Sequence, residues 1–186
     1  YLDVDNTPVT PVQKISYDTL VICIGSLSND FGTTGVKEHA LKLENQTDAK
    51  LFHSKMVNAC IRAHHQTDLI DQSQLHVAII GAGATGVELA AELHRTTREV
   101  VAFGLDGIDA DKDLKISLIE AADRILPALN PRLSNATENL LTRLGVHVHT
   151  KSKVMEVTPK GIRLADGQLI ASELVVWAAG VKAPDY

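Results

Sequence analysis

The chain has 186 residues, of which 45% are apolar, with two cysteines and a formal net charge of −5. That is enough for one α/β domain with pieces of another and a sizeable core, and it argues against intrinsic disorder. No basic stripe is present to neutralise phosphates, which argues against a nucleic-acid partner; no apolar run reaches a membrane span, and no signal peptide opens the chain.

Residues 1–16 are polar and β-like, with Pro8 and Pro11 marking turns. The continuous apolar run Tyr17-Asp-Thr-Leu-Val-Ile-Cys-Ile-Gly25 predicts a buried strand whose tip meets a loop, and the Ser-, Asn- and Gly-rich stretch from Ser26 to Gly35 reads as that loop. From Asp48 to about Asp71, Leu51, Met56, Val57, Cys60, Ile61 and Ala63 fall at helical spacing. Thr47 or Asp48 suits the N-cap, and the polar stretch Gln66 to Gln74 should lead on to the next strand. Cys23 and Cys60 lack C-x-x-C spacing and read as two buried thiols of a reducing compartment.

The next stretch carries the strongest signal. Leu75-His-Val-Ala-Ile-Ile-Gly81-Ala-Gly83-Ala-Thr-Gly86-Val-Glu88 reads as an apolar strand, then G-x-G-x-x-G, then the start of an Ala- and Leu-rich helix. That order is the context a dinucleotide-binding fingerprint requires. Gly81 allows the tight turn, Gly83 lets backbone approach a pyrophosphate, and Gly86 brings helix against strand. The helix N-terminus offers free N–H groups and a positive dipole end to phosphates.

Val87, Ala90, Leu93, Thr97, Val100 and Val101 continue one helical face, so this helix should run to about Gly104. Gly104 to Asp113 is acidic and reads as a solvated insertion, and Leu114 to Glu120 reads as an alternating strand with an acid at its end. Pro131 to Leu144 is predicted helical, closed by Gly145. Short β runs follow at Val146–Thr150, Val154–Thr158, Gly161–Leu164 and Leu174–Trp177, with turn signals at Pro159-Lys-Gly161 and Ala165-Asp-Gly167. The fold expected is α/β: a Rossmann-like βαβαβ parallel sheet with an attached β-meander.

Several residues could do chemistry. Glu120 stands where an acid accepts the adenosine ribose hydroxyls, and the long helix and acidic insertion explain why it lies more than the usual ~20 residues from Gly86. Its charge would oppose a 2′-phosphate, favouring NADH over NADPH. Arg124 nearby could serve a 2′-phosphate, lie at the pyrophosphate or sit on the surface. Glu88 either complements the helix dipole, worth ~0.3–1 kcal/mol, or faces the nicotinamide. Trp177-Ala-Ala-Gly180 ends a strand with small residues, as Val21-Ile-Cys-Ile-Gly25 does, and the pair suggests the junction of two nucleotide domains. Neither His147 with His149 nor His64 with His65 is joined by Cys, Asp or Glu at ligand spacing, so no metal is expected. There is neither a G-x-S-x-G elbow nor the Lys-Ser/Thr ending of a P-loop.

Val77 to Leu93, the insertion Leu105 to Asp111, the run Glu120 to Leu129 and Val176-Trp-Ala-Ala-Gly-Val-Lys-Ala-Pro-Asp185 together resemble the type II, non-proton-pumping NADH dehydrogenases. Tyr17 to Ser26 resembles the strand leading from that family's flavin domain into its NADH domain. The glycine motif alone would indicate only the wider group of two-dinucleotide flavoproteins. The resemblance implies a flavoenzyme bound peripherally at the cytoplasmic face of the inner membrane, passing hydride from NADH to FAD and electrons on to quinone, with a homodimer compatible. By position, Gly81, Gly83, Ala84, Thr85 and Gly86 would hold the pyrophosphate and Glu120 the adenosine ribose. Glu88, Ala179 and Gly180 would lie near the nicotinamide and Gly25 at the flavin side. No residue is expected as an acid–base catalyst, because the cofactors carry the redox chemistry.

The family's first flavin motif, its Gly-Asp pair and its membrane helices are not found in the sequence. The chain therefore reads as a fragment: 1–47 flavin-domain strands, 48–74 a linking helix, 75–177 the NADH-binding domain and 178–186 a return to the flavin domain. As such it should bind no FAD and turn over no quinone, meeting quinone and membrane only through parts outside these residues. Two other readings stay open: another flavoprotein reductase of the disulfide or ferredoxin type, and a non-catalytic NAD(H)-sensing module.

Overall fold

The computed structural model describes residues 2–102 and 104–184. Its centre is a five-stranded parallel sheet built from β2 (Leu41–Lys42), β3 (His76–Ile80), β4 (Lys115–Ile119), β5 (Val146–His149) and β9 (Leu174–Trp177), in the order β2-β9-β3-β4-β5. Helices α3 (Ala84–Ala102) and α4 (Pro131–Arg143) make the β3-α3-β4-α4-β5 crossovers. An antiparallel meander of β6 (Val154–Thr158), β7 (Gly161–Leu164) and β8 (Leu169–Ala171) follows. The chain then returns as β9 between β2 and β3, with Val77 opposite Leu174 and Ile80 opposite Trp177.

The central strands are continuously apolar because both faces are covered. One face packs Val77, Ile79, Leu118 and Val176 against α3, α4 and α2 (Gln46–His65), which supplies Phe52, Met56 and Cys60. The other packs Ala78, Ile80, Ile119 and Trp177 against Val154, Val157, Ile162 and Ile170 of the meander. β4 is accordingly buried at four consecutive positions rather than alternating as expected. A strand with neighbours on both edges and layers on both faces has no solvent side to show.

Helix α2 begins a little earlier than its apolar spacing suggests. Asn45 is the N-cap, its side chain accepting from the Asp48 N–H at 3.0 Å, and the helix stops at His65 rather than near Asp71. Asn130 caps α4 in the same way, with Pro131 at the first helical position and Gly145 beyond its end at φ 83°. The insertion after α3 is mostly exposed, but its own Ile108 is buried, and its Asp111 pairs with Arg98 of α3.

The largest departure is at the start of the chain. Residues 17–25 form no strand and are exposed: Val21 at 75% and Ile24 at 53%. Among the described residues no strand pairs with this run, and an apolar segment without a neighbour to hydrogen-bond its backbone or cover its side chains cannot be a buried strand. Cys23 is exposed for the same reason, whereas Cys60 is buried as expected. Residues 2–16 form no strand beyond an isolated Leu2–Pro8 bridge, which closes a turn held by the Asp3 N–H on the Thr7 carbonyl. Short pieces complete the chain: β1 (Leu27–Ser28), paired antiparallel with β10 (Val181–Lys182), and the helical turn α1 (Val36–His39). No described helix is long and apolar enough to cross a membrane.

Candidate nucleotide-binding cleft

The carboxyl ends of β9, β3 and β4 open onto one cleft of about 580 Å³, which is where open α/β sheets bind ligands. Its walls are laced by main-chain bonds from strand end to strand end. Gly81 N–H donates to the Ile119 carbonyl, Ala178 N–H to that of Ile80 and Glu120 N–H to that of His149, each at 2.8 Å.

The turn off β3 is tight because Gly81 takes φ 102°, and a Cβ there would stand 2.7 Å from the Ala179 backbone. Gly86 lies in the first turns of α3, and a Cβ on it would overlap the Gly81 carbonyl oxygen. These two glycines let strand, helix and returning chain meet. Gly83 differs: it is exposed, and a Cβ on it would meet nothing within 4 Å. The space over its backbone is open to the cleft. Ala84 and Thr85 begin α3 and are exposed, with Thr85 lining a separate 210 Å³ pocket shared with Ser28, Leu43 and Val181.

Glu120 is half-buried at the end of β4 and lines the cleft. One carboxylate oxygen accepts from the Ala82 N–H and the other from the Ala122 N–H, both at 2.9 Å. The side chain is thereby fixed against the glycine loop, while each oxygen keeps a lone pair for a further donor. Arg124 lies outside the cleft lining and donates to the Pro127 carbonyl at 2.8 Å, while its buried Nε has no partner. The segment carrying it is held over the loop by the Leu126 N–H donating to the Ala82 carbonyl at 2.8 Å.

Ala179 and Gly180 line the far end of the cleft. Glu88 is exposed on α3 and does not line it; Gly25 is exposed at φ 81° in the irregular segment, outside it too. The cleft also gathers Phe31, Thr33, Pro127, Ser152, Lys153 and the Trp177 side chain, none of which the sequence singled out as binding residues. Only Trp177 carried a signal, through the small residues that follow it. The others come from loops far apart in the chain: Ser152 N–H, for instance, reaches the Glu120 carbonyl at 2.9 Å. Trp177 is buried, and its indole N–H is shared between the carbonyls of Asn29 at 2.8 Å and Ala179 at 2.9 Å, joining the two loops that close this end.

Among the described residues no three His, Cys, Asp or Glu side chains gather to hold a metal ion. The arrangement suits a long, flat ligand with a phosphate bridge at its middle: a carboxylate for hydroxyls at one end, open backbone and a helix N-terminus at the centre, small residues at the other.

The model of the family described as pyridine nucleotide-disulphide oxidoreductase matches residues 2–185. A type II NADH:quinone oxidoreductase from Haemophilus influenzae is 36% identical over 183 residues, spanning 92% of this chain and 41% of that protein. A probable mitochondrial NADH-ubiquinone oxidoreductase from Schizosaccharomyces pombe is 33% identical over 91% of this chain and 32% of its own length. The structure of NDH2 from Plasmodium falciparum in complex with NADH superposes with a TM-score of 0.81 at 26% identity, over 98% of this chain and 38% of that one. The chain thus spans about two-fifths or less of the relatives it matches.

Proposed function

Because the chain belongs to the pyridine nucleotide-disulphide oxidoreductase family, we propose that it is the NADH-binding part of a flavin-dependent NADH:quinone oxidoreductase of type II. The observation that carries this reading is the bond from the Ala82 N–H to Glu120, which ties a ribose-reading carboxylate to the glycine loop. Similarity to the NADH:quinone oxidoreductase of H. influenzae and to an NDH2 solved with NADH supports it.

The strand order supports one way for the nucleotide to lie. The adenosine ribose would sit at the end of β4, its hydroxyls donating to Glu120. The pyrophosphate would cross the end of β3 over Gly83, taking the N–H groups of Ala84, Thr85 and Gly86 at the start of α3. Arg124, outside the cleft lining, would meet a phosphate only if its side chain left the Pro127 carbonyl. Ala179 and Gly180 at the end of β9 would leave room for the nicotinamide. Glu88, pointing to solvent here, would meet it only once a second domain covers α3. Bound together, nicotinamide and flavin would supply the hydride and electron transfer; the residues of this chain hold, orient and shield.

The exposed apolar run Val21 to Ile24 and the return after Trp177 fit strips of a flavin domain on either side of residues 75–177, with residues 48–74 as the link. Residues able to grip FAD phosphates are not found in this stretch, so flavin, quinone, a peripheral seat on the cytoplasmic face of the inner membrane and a homodimer contact would all depend on other parts of the protein. A non-catalytic NAD(H) sensor would have no use for that apolar strip.

Titrating the chain with NADH by calorimetry tests the reading, with Gly83→Val as the control that fills the open space over the loop. Saturable binding lost in the variant is the expected result. Binding that survives Gly83→Val unchanged would place the nucleotide elsewhere.

A further inference from the structure

Phe31 stands out among the cleft residues. The residue is 67% exposed, and its backbone is held at φ 50°, a conformation that a bulky residue rarely adopts. Two side-chain caps hold it there: Asn29 accepts from the Phe31 N–H and Asp30 from the Gly32 N–H, each at 3.0 Å. The Trp177 indole and the Asn29 N–H, which donates to the Gly180 carbonyl at 3.3 Å, fasten the same loop to the end of β9. The ring lies directly on Gly180, where a Cβ would overlap its edge. Packing on Gly180 still leaves most of this residue in water, at a strained position pinned from several sides.

We infer that Phe31 is the aromatic wall of the nicotinamide end of the cleft, stacking on the nicotinamide ring and taking no part in holding the adenosine half. This rests on the nucleotide reading above and deepens it. The strand order separates the two halves: Glu120 closes the cleft at the end of β4, whereas Phe31 and Gly180 close it at the end of β9, with β3 between. A ligand group touching Phe31 is therefore the one farthest from Glu120. An exposed phenyl face favours a flat heteroaromatic ring, since stacking sheds apolar surface from both partners.

The test compares NADH with ADP-ribose, which keeps the adenosine and both phosphates but lacks the nicotinamide. Both are titrated by calorimetry against wild type, Phe31→Ala, Phe31→Leu and Phe31→Tyr. Phe31→Ala and Phe31→Leu should weaken NADH by about tenfold, Phe31→Tyr should bind like wild type, and ADP-ribose should not distinguish any of the four. Leucine keeps the bulk, so its failure to rescue isolates the flat ring. Equal weakening of both ligands would show that Phe31 only shapes its loop and would overturn the inference, as would unchanged or tighter NADH binding in Phe31→Ala. Wild type binding neither ligand would instead remove the nucleotide reading on which the inference stands.

Discussion

Two segments of this chain carry nearly the same sequence signal and meet opposite fates. Val77-Ala-Ile-Ile-Gly81 and Val21-Ile-Cys-Ile-Gly25 are both apolar runs ending in a glycine of positive φ. The first is a central strand with Ile79 at 0% exposure; the second is an irregular stretch with Ile22 at 66%. Local preference for an extended backbone is the same in both. What differs is the neighbours: β3 has β4 and β9 on its edges and a layer on each face, and the earlier run has none of these. Burial belongs to the assembly of segments, not to the run itself.

The contrast can be broken most severely by one charge placed in each run. Ile79→Asp should cost more than about 4 kcal/mol, since an unpaired carboxylate would sit in the sheet core. Ile22→Asp should stay within about 0.5 kcal/mol. Urea denaturation of the two variants measures both, and equal losses would mean that the Val21 to Gly25 run is buried after all.

Gly83→Val sharpens the comparison from function to stability inside the well-packed region. NADH affinity should fall at least about a hundredfold, near 3 kcal/mol, while the unfolding midpoint barely moves. Calorimetric and denaturation titrations on one preparation separate the two effects, because the space over Gly83 is empty of protein.

A third expectation concerns a titratable ring that only the packed region has. His76 on β3 bonds Ser117 Oγ at 2.9 Å, and burial, with Lys115, His147 and His149 adding to it, pushes its pKa down to about 4. Unfolded, it titrates near the ordinary 6.5, so as pH falls the unfolded chain takes up the proton first. Stability from this group is whole above pH 6.5, declines between 6.5 and 4, and levels off below. The loss should be on the order of 1–2 kcal/mol, the ring being only partly buried and screened. Thermal melts across that window should slope less in His76→Gln, and an unchanged slope would exonerate His76.

The smallest effect expected is on nucleotide choice. Wild type should prefer NADH to NADPH, and Glu120→Ala should narrow the gap by about 1–2 kcal/mol while leaving the Ala82 and Ala122 N–H groups without their acceptor. Competitive titration with both nucleotides measures it, and equal affinities in wild type would sink the ribose assignment.

Much of the sheet was legible because its signals are local. The glycine loop, α3, α4 and the first two strands of the meander follow from spacing and turn residues within a few positions. Other features had no such signal. β8 is only three residues long, and β1, β2 and β10 are two each, too short for any period to show. The cap of α2 fell on Asn45 because two neighbouring polar residues compete for that place and only geometry separates them. In the cleft, Gly81 and Gly83 could be read directly from the glycine spacing, and Glu120 by its place at a strand end. Phe31 and Lys153 are cleft residues only through loops that meet across more than a hundred positions, which composition cannot express.

The place of β9 has a consequence for how the chain is made. It follows β3, β4 and β5 in sequence, yet it lies inside the sheet between β2 and β3, nearly a hundred residues after the β3 strand it pairs with. During synthesis β3 can join β4 and β5 early, but its other edge stays open until Trp177 has left the ribosome. That edge is apolar on both faces and presents unpaired N–H and carbonyl groups, the kind of surface that pairs with other chains. Closing it requires a long-range parallel contact, which is slow to form. The vulnerable interval of this fold therefore runs from the emergence of β3 to that of β9, and aggregation should depend on how quickly the residues between them follow.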